Sequence, residues 1–142
     1  MNTKQLLDLS GRNAIVTGGS RGLGLQIAEA LGEMGAKVAL TARKQEELDA
    51  AVARLAKMGI EASAWKCDLG KREQVAPLAE AILGRYGKVD ILVNNAGAVW
   101  AAPAENHPLE AWDKLVALNM TANFLLSQAI ATKSMIPNKW GR

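Results

Sequence analysis

The stretch Thr17-Gly18-Gly19-Ser20-Arg21-Gly22-Leu23-Gly24 decides the fold of this chain. Residues 13–17 form a short apolar run typical of a buried strand, and the residues after the stretch carry apolar side chains at helical spacing. Glycines in such a loop allow positive φ angles and let backbone N–H groups approach an anion at the helix N-terminus. The stretch therefore predicts a strand, a loop for the pyrophosphate of a dinucleotide, and a helix. A tight strand-to-helix connection with no ligand is the alternative.

The alternation of strand and helix continues along the chain beyond this loop. The further predicted strands are 37–41, 61–66 and 89–94, and the further predicted helices are 45–58, 71–85 and 109–135. Continuous apolar strands that alternate with amphipathic helices are typical of a parallel sheet covered on both faces. The predicted fold is a Rossmann-like, doubly wound α/β fold that is truncated after about four strands.

Length and composition fit a single domain spanning residues 1–142. Of the 142 residues, 49% are hydrophobic and 22% are charged, as in ordinary globular domains. The net charge is only +3 and no run of five like charges occurs, so we expect no nucleic-acid partner. No run of apolar residues is long enough for a membrane span, and the first ten residues do not resemble a secretory signal. We therefore expect no membrane partner and a cytoplasmic location.

The chain has one cysteine, Cys67, and one histidine, His107. A single cysteine excludes an intrachain disulfide, and the pair cannot form a zinc site of cysteines and histidines. We expect a reducing compartment, no metal site, and no role as a nucleophile for either residue.

Together with Asn94-Asn95-Ala96-Gly97 after the fourth predicted strand, the glycine loop resembles the short-chain dehydrogenase/reductase family, whose glycine pattern is TGxxxGxG. The resemblance covers essentially the whole chain. From Leu7-Asp8-Leu9-Ser10-Gly11 onward, the sequence is similar to gluconate 5-dehydrogenases and 3-oxoacyl reductase-like members. The resemblance implies hydride transfer between a nicotinamide cofactor and a small carbonyl or secondary alcohol. It also implies a homo-oligomer when the protein is complete.

The residues after the second predicted strand bear on the choice of cofactor. An NAD-selective fold usually places a carboxylate there, but this chain continues Thr41-Ala42-Arg43-Lys44. Arg43, with Arg21 in the glycine loop, would supply two guanidinium groups to a 2′-phosphate, so NADP(H) is favoured over NAD(H). The alternative is that Arg43 and Lys44 begin a solvated helix. Glu46 and Glu47, inside that helix, are expected to face solvent and not to bind the ribose.

The resemblance also implies contacts to the adenosine part of the cofactor. An aspartate at the position of Asp68 would contact the adenine edge, although Asp68 is equally suited to capping the turn that follows. The segment Asn94–Gly97 would brace the central sheet and pass near the adenosine ribose. The residues expected to bind the cofactor are Gly18, Ser20, Arg21, Gly22, Leu23, Gly24, Arg43, Asp68, Leu69, Asn95, Ala96 and Gly97.

For catalysis, Asn119 matches the asparagine of the family's Asn, Ser, Tyr, Lys tetrad. The resemblance implies that this asparagine holds a water in the proton relay. The alternative is a polar residue whose hydrogen bonds are satisfied within a helix. The only tyrosine, Tyr86, has Asp90 at the fourth position after it, so it does not match the family's YxxxK pattern. The resemblance implies that the tetrad serine lies at the end of a fifth strand, and the chain stops where that strand is expected to begin. Because the serine, the tyrosine and the lysine of the tetrad are then absent, we expect an incomplete domain that is inactive by itself.

Three interpretations follow from the sequence. The first is the cofactor-binding half of an NADP(H)-dependent oxidoreductase with a small-molecule substrate. The second is a catalytically inactive nucleotide-binding or interaction module, and the third is a fragment without a stable fold.

Overall fold

A computed structural model describes all 142 residues of the chain. The strands are β1 (Asn13–Thr17), β2 (Lys37–Ala42), β3 (Ala62–Lys66) and β4 (Ile91–Val93). The helices are α1 (Thr3–Leu7), α2 (Gly22–Glu33), α3 (Gln45–Lys57), α4 (Val75–Tyr86) and the long α5 (Leu109–Met135).

The four strands form one parallel sheet in the order β3-β2-β1-β4. Strand β1 lies inside the sheet and is buried along its whole length, and its Ile15 pairs with Ala39 of β2 and with Leu92 of β4. The chain crosses to the other side of β1 after β3. The loops that follow β1 and β4 therefore leave the sheet side by side at its carboxyl end, where sheets of this kind have their crevice.

Two apolar cores cover the two faces of the sheet, which confirms the predicted doubly wound α/β fold. Ile15 and Val16 are neighbours in β1 and point to opposite faces, as the period of a strand requires. Val16 packs with buried residues of α2 and α3, namely Ala28, Leu48, Ala51 and Leu55. Ile15 packs with buried residues of α4 and α5, namely Val75, Leu78, Ala79, Ile82, Ala122, Leu126 and Ile130.

Most element boundaries lie within one residue of the prediction, and the larger differences concern β4, the start of α4 and the N-terminal segment. Strand β4 is only three residues long, because Asn95 N–H turns back to the carbonyl of Val93. The helix predicted at 71–85 begins as a 3₁₀ turn, Arg72–Gln74, and Pro77 lies without disruption in the first turn of α4. Helix α1 was not predicted. It has five residues, and a capping box stabilises its N-terminus.

Helix α5 spans the predicted range, with π-helical turns at Ala117–Thr121 and Ala131–Met135. Its large apolar side chains on the face away from the sheet are exposed, among them Trp112 and Phe124. By length and composition α5 is also apolar enough to cross a membrane, and a single helix of this kind is weak evidence for a membrane span. Its contribution to the fold is the buried row that packs on the sheet.

The outer edge of β4 is partly paired, by the last residue of the chain. Arg142 N–H donates to the carbonyl of Asp90 at 3.0 Å, and Leu92 N–H donates to the carbonyl of Arg142 at 2.9 Å. These two bonds bracket Ile91 in the pattern of a parallel ladder. Residue 142 therefore lies where a fifth strand would begin.

At the amino end of the sheet, the buried carboxylate of Asp90 joins β1 to the start of β4. It accepts hydrogen bonds from the guanidinium of Arg12 at 3.0 Å, from Asn13 N–H at 3.0 Å and from the ammonium of Lys88 at 3.2 Å. Burial raises the pKa of Asp90, but these hydrogen bonds outweigh burial and hold the pKa below its ordinary value of 3.8. The carboxylate is therefore ionised at neutral pH.

Replacing Asp90 by Asn is expected to lower the free energy of unfolding at neutral pH by about 2 kcal/mol, the usual size for hydrogen bonds between charged groups. Because the pKa is depressed in the folded state, this stabilisation is present above about pH 4 and is lost as the pH falls through the folded-state pKa. Urea unfolding should show a smaller difference in the free energy of unfolding between the unchanged protein and Asp90→Asn at about pH 2.5 than at neutral pH. Asp113→Asn, an exposed change of the same charge, is the control. A gap that persists in acid would contradict this account.

Candidate functional site

A cleft of about 340 Å³ opens at the carboxyl end of the sheet, between the loops after β1, β2 and β4. Its lining includes every residue expected to bind a cofactor except Asp68. These are Gly18, Ser20, Arg21, Gly22, Leu23, Gly24, Arg43, Leu69, Asn95, Ala96 and Gly97. Residues from four separate segments of the chain therefore meet at one site.

The β1–α2 loop forms the floor of this cleft, and its glycines are required for different reasons. Gly18 has φ +64° and Gly22 has φ +56°, in the left-handed region that side chains rarely adopt. A Cβ at Gly24 would collide with the carbonyl oxygen of Gly18, so the loop closes only on glycine there. Helix α2 has no capping side chain at Arg21, which leaves its first-turn N–H groups available to an anion.

Thr17 and Asn95 clamp the ends of β1 and β4 together beneath the loop. The hydroxyl of Thr17 accepts from the N–H groups of Asn95 and Ala96, both at 2.9 Å. The Asn95 amide donates to the carbonyls of Thr17 at 2.9 Å and Gly18 at 3.2 Å. Thr17 was not among the predicted site residues, although its place at the head of the glycine pattern was a usable signal.

The mouth of the cleft beside β2 is rich in charge. Arg43 is exposed and makes no salt bridge, while Arg21 and Lys44 both lie beside Glu47. Glu47 was expected to face solvent, and this is wrong, because α3 turns its first-turn carboxylate into the cleft. The hydrogen bond from Lys44 holds the pKa of Glu47 below its usual range, so the site combines three cations with one ionised carboxylate.

Asp68 lies outside the cleft lining, in the turn after β3. Its carboxylate accepts from Gly70 N–H at 3.1 Å, and its own N–H donates to the side chain of Gln74 at 2.9 Å. The carboxylate of Asp68 therefore stabilises a local turn with Gly70 and does not cap the 3₁₀ turn Arg72–Gln74, whose N-cap residue is Lys71. Its contact with adenine stays a prediction. The neighbouring Leu69 is buried and does line the cleft.

Asn119 lies in the first π-helical turn of α5 and binds the loop after β4. Its Oδ1 accepts from Ala98 N–H at 3.0 Å, and its Nδ2 donates to the Ala98 carbonyl at 2.8 Å. Its backbone carbonyl accepts from the amide of Asn123 at 2.9 Å. A Cβ on Gly97 would lie 3.2 Å from Asn119 Oδ1. Asn119 is thus exposed, with both polar side-chain atoms bonded to Ala98, and it lies next to Leu118 of the cleft lining. π-Helical turns often occur at functional sites.

The other reactive side chains lie away from this cleft. The hydroxyl of Tyr86 contacts Ser63 Oγ at 2.7 Å, on the face of the sheet that packs against α4. Burial raises the pKa of the Cys67 thiol to about 11, which keeps it protonated at neutral pH. No group of three histidine, cysteine, aspartate or glutamate residues could hold a metal ion.

Comparison with known proteins identifies the family. The model of the short chain dehydrogenase family matches residues 12–142. The chain belongs to the short-chain dehydrogenases. It is 39% identical to the gluconate 5-dehydrogenase of Gluconobacter oxydans (strain 621H), over all of this chain and 55% of that protein. It is 41% identical, over 86% of this chain and 47% of the relative, to the rhamnolipids biosynthesis 3-oxoacyl-[acyl-carrier-protein] reductase of Pseudomonas aeruginosa.

Two solved structures show the same fold with different cofactors. A metagenomic short-chain oxidoreductase in complex with NADP has a TM-score of 0.90 and 43% identity, over 94% of this chain and 60% of that chain. An NAD⁺-bound xylitol dehydrogenase has a TM-score of 0.88 and 32% identity, over 94% of this chain and 51% of that chain. The chain spans about half the length of the curated relatives it matches. Short-chain dehydrogenases of this kind are oxidoreductases, and both cofactors occur among them.

Proposed function

We propose that this short-chain dehydrogenase chain is the cofactor-binding half of an NADP(H)-dependent oxidoreductase. The whole protein would transfer a hydride between the nicotinamide and a small carbonyl or secondary alcohol. The observation that carries the proposal is the glycine-floored cleft, with an uncapped helix N-terminus at one side and three cations at its mouth. A dinucleotide has the matching chemistry, because its pyrophosphate and its 2′-phosphate are anions.

Each part of the cleft has a role in this proposal. The first turn of α2, at Gly22, would hold the pyrophosphate through backbone N–H groups. Arg21 and Arg43 would hold the 2′-phosphate, and Leu69 would pack beside the adenine. The clamp around Asn95 keeps the two loops in place. When bound, the nicotinamide supplies or accepts the hydride.

The second half of the reaction centre would come from residues that follow a fifth strand. The pairing of Arg142 with β4 supports this arrangement, because it adds a residue beside Ile91 at the outer edge of β4, from which a parallel fifth strand would run toward the carboxyl end of the sheet. Asn119 would then act as a positioning residue for the proton relay, since its side chain already fixes the loop at Ala98. The proposed whole protein is a cytoplasmic homo-oligomer with a small-molecule substrate.

A second candidate is a nucleotide-binding or interaction module without catalysis. The observation that favours it is the absence of a YxxxK tyrosine from the cleft, since Tyr86, the last residue of α4, points its hydroxyl to Ser63 of β3. This second candidate predicts nucleotide binding without turnover, even after the chain is extended.

The preference for NADP(H) can be tested at Arg43. The chain is expected to bind NADPH more tightly than NADH, and Arg43→Ala should reduce the ratio of the two affinities by about tenfold or more, since each charge-assisted hydrogen bond contributes about 1.5 to 3 kcal/mol. Fluorescence titration with both dinucleotides measures the ratio. Arg85→Ala removes an exposed arginine near the end of α4 and is the matched control. An unchanged ratio in Arg43→Ala would remove the basis of the NADP(H) assignment.

A further inference from the structure

Glu47 is the one acidic side chain that lines the cleft, and both of its oxygens are engaged. The hydroxyl of Ser20 donates to Oε2 at 3.3 Å, and the ammonium of Lys44 lies 3.1 Å from Oε1. The Nε of Arg21 lies 3.9 Å from Oε2. The Glu47 side chain is 31% exposed, whereas those of Arg21 and Lys44 are 79% and 71% exposed. A fixed negative charge therefore stands among the cations that would face a 2′-phosphate.

A first-turn acid at a helix N-terminus has an ordinary structural explanation in the helix dipole. Glu46 and Glu47 both occupy the first turn of α3 and share that benefit. Glu46 is exposed and lies outside the cleft, while Glu47 is turned inward toward Ser20. The dipole explains an acid in this turn, but it does not explain why this one faces the cleft.

The charge of Glu47 acts in opposite directions on the two cofactors. A carboxylate next to Arg21 and Lys44 neutralises part of their field and repels a phosphate placed between them. A ribose 2′-hydroxyl is a hydrogen-bond donor, and an ionised carboxylate has acceptor capacity beyond the contacts it makes here. NAD-selective sheets use a carboxylate for that hydroxyl, supplied at the end of the second strand. In this chain the carboxylate comes from α3.

We propose that Glu47 is a specificity-determining residue that lowers the preference for NADP(H) over NAD(H), so that the cleft also binds NAD(H). The proposal rests on the proposed function, because it assumes that the cleft binds a nicotinamide dinucleotide. Arg21, Arg43 and Lys44 attract the 2′-phosphate. Glu47 opposes them and offers an acceptor to the 2′-hydroxyl.

The test compares Glu47→Gln with Glu46→Gln in the 142-residue chain. Glutamine has nearly the same shape and still accepts from Ser20, so the first change removes the charge and leaves the packing. NADPH and NADH are titrated separately against each protein, and melting curves verify that each is folded. Glu47→Gln should raise the ratio of NADPH to NADH affinity by about tenfold, as expected for charges a few ångströms apart in a water-rich site. Glu46→Gln should change it by less than about twofold, because an exposed charge at greater distance is screened.

Two further measurements sharpen the result. Glu47→Lys should raise the ratio beyond the value for Glu47→Gln, and added salt should shrink both effects. An unchanged or lower ratio in Glu47→Gln would overturn the proposal while leaving the proposed function intact. Loss of both dinucleotides in that variant would also overturn it, in favour of a purely structural role. If the unmodified chain bound neither dinucleotide, the proposed function itself would fall.

Discussion

A fusion that continues this chain after Arg142 with the C-terminal half of a relative is expected to reduce a small carbonyl with NADPH. The 142-residue chain alone is expected to show no turnover above background. Hydride transfer to a carbonyl leaves an alkoxide that must be protonated, and a positioned general acid contributes about 10² to 10⁴ in rate. The family's general acid is a YxxxK tyrosine, and this chain has no residue that matches it. Absorbance of NADPH consumption measures both proteins.

The matched control for the fusion replaces the supplied YxxxK tyrosine by Phe, which should return the rate to background while NADPH still binds. Asn119→Ala in the active fusion should lower kcat more than it weakens NADPH binding, because its side chain holds the loop at Ala98. Turnover by the unextended chain would contradict the proposal. A folded fusion that binds NADPH without reducing any small carbonyl would favour the non-catalytic module.

Gly24→Ala is expected to weaken both NADPH and NADH by at least about a hundredfold, the largest effect of any single substitution considered for this chain. A methyl group there would collide with the carbonyl oxygen of Gly18 and crowd the amide of Asn95, so the loop must open and the pyrophosphate site is lost. Because the defect concerns the part shared by both dinucleotides, the ratio of their affinities should not change. Titration of both ligands separates this result from those at Arg43 and Glu47.

Gly84→Ala is the matched control, since a Cβ at this exposed position in α4 meets no atom within 4 Å. This change should leave nucleotide binding intact and stabilise the fold by about 0.5 to 1 kcal/mol, as alanine does in a helix interior. Unaltered binding in a folded Gly24→Ala protein would show that the loop is only a structural connection.

The features that could be predicted from the sequence depend on local periodicity. Apolar spacing and glycine placement in a short stretch of sequence specify an element locally. They were enough to predict strand β1, the glycine loop and the 27-residue helix α5. The inward position of Glu47 could not be predicted, since it depends on how α3 packs beside the β1–α2 loop. The short β4 also depends on a hydrogen bond, from Asn95 N–H to the carbonyl of Val93, that a periodicity pattern does not show.

The two ladder bonds of Arg142 fix which way later side chains must face. Residue 142 stands opposite Ile91, so a strand grafted after it would place its next two residues opposite Leu92 and Val93. Alternate residues of such a strand project to opposite faces, and a single inserted residue reverses the facing of every side chain beyond it. Whether a serine of that strand faces the cleft therefore depends on whether it lies an odd or an even number of residues after Arg142. A chimera whose junction is shifted by one residue would therefore turn the side chains meant for the cleft to the other face of the sheet.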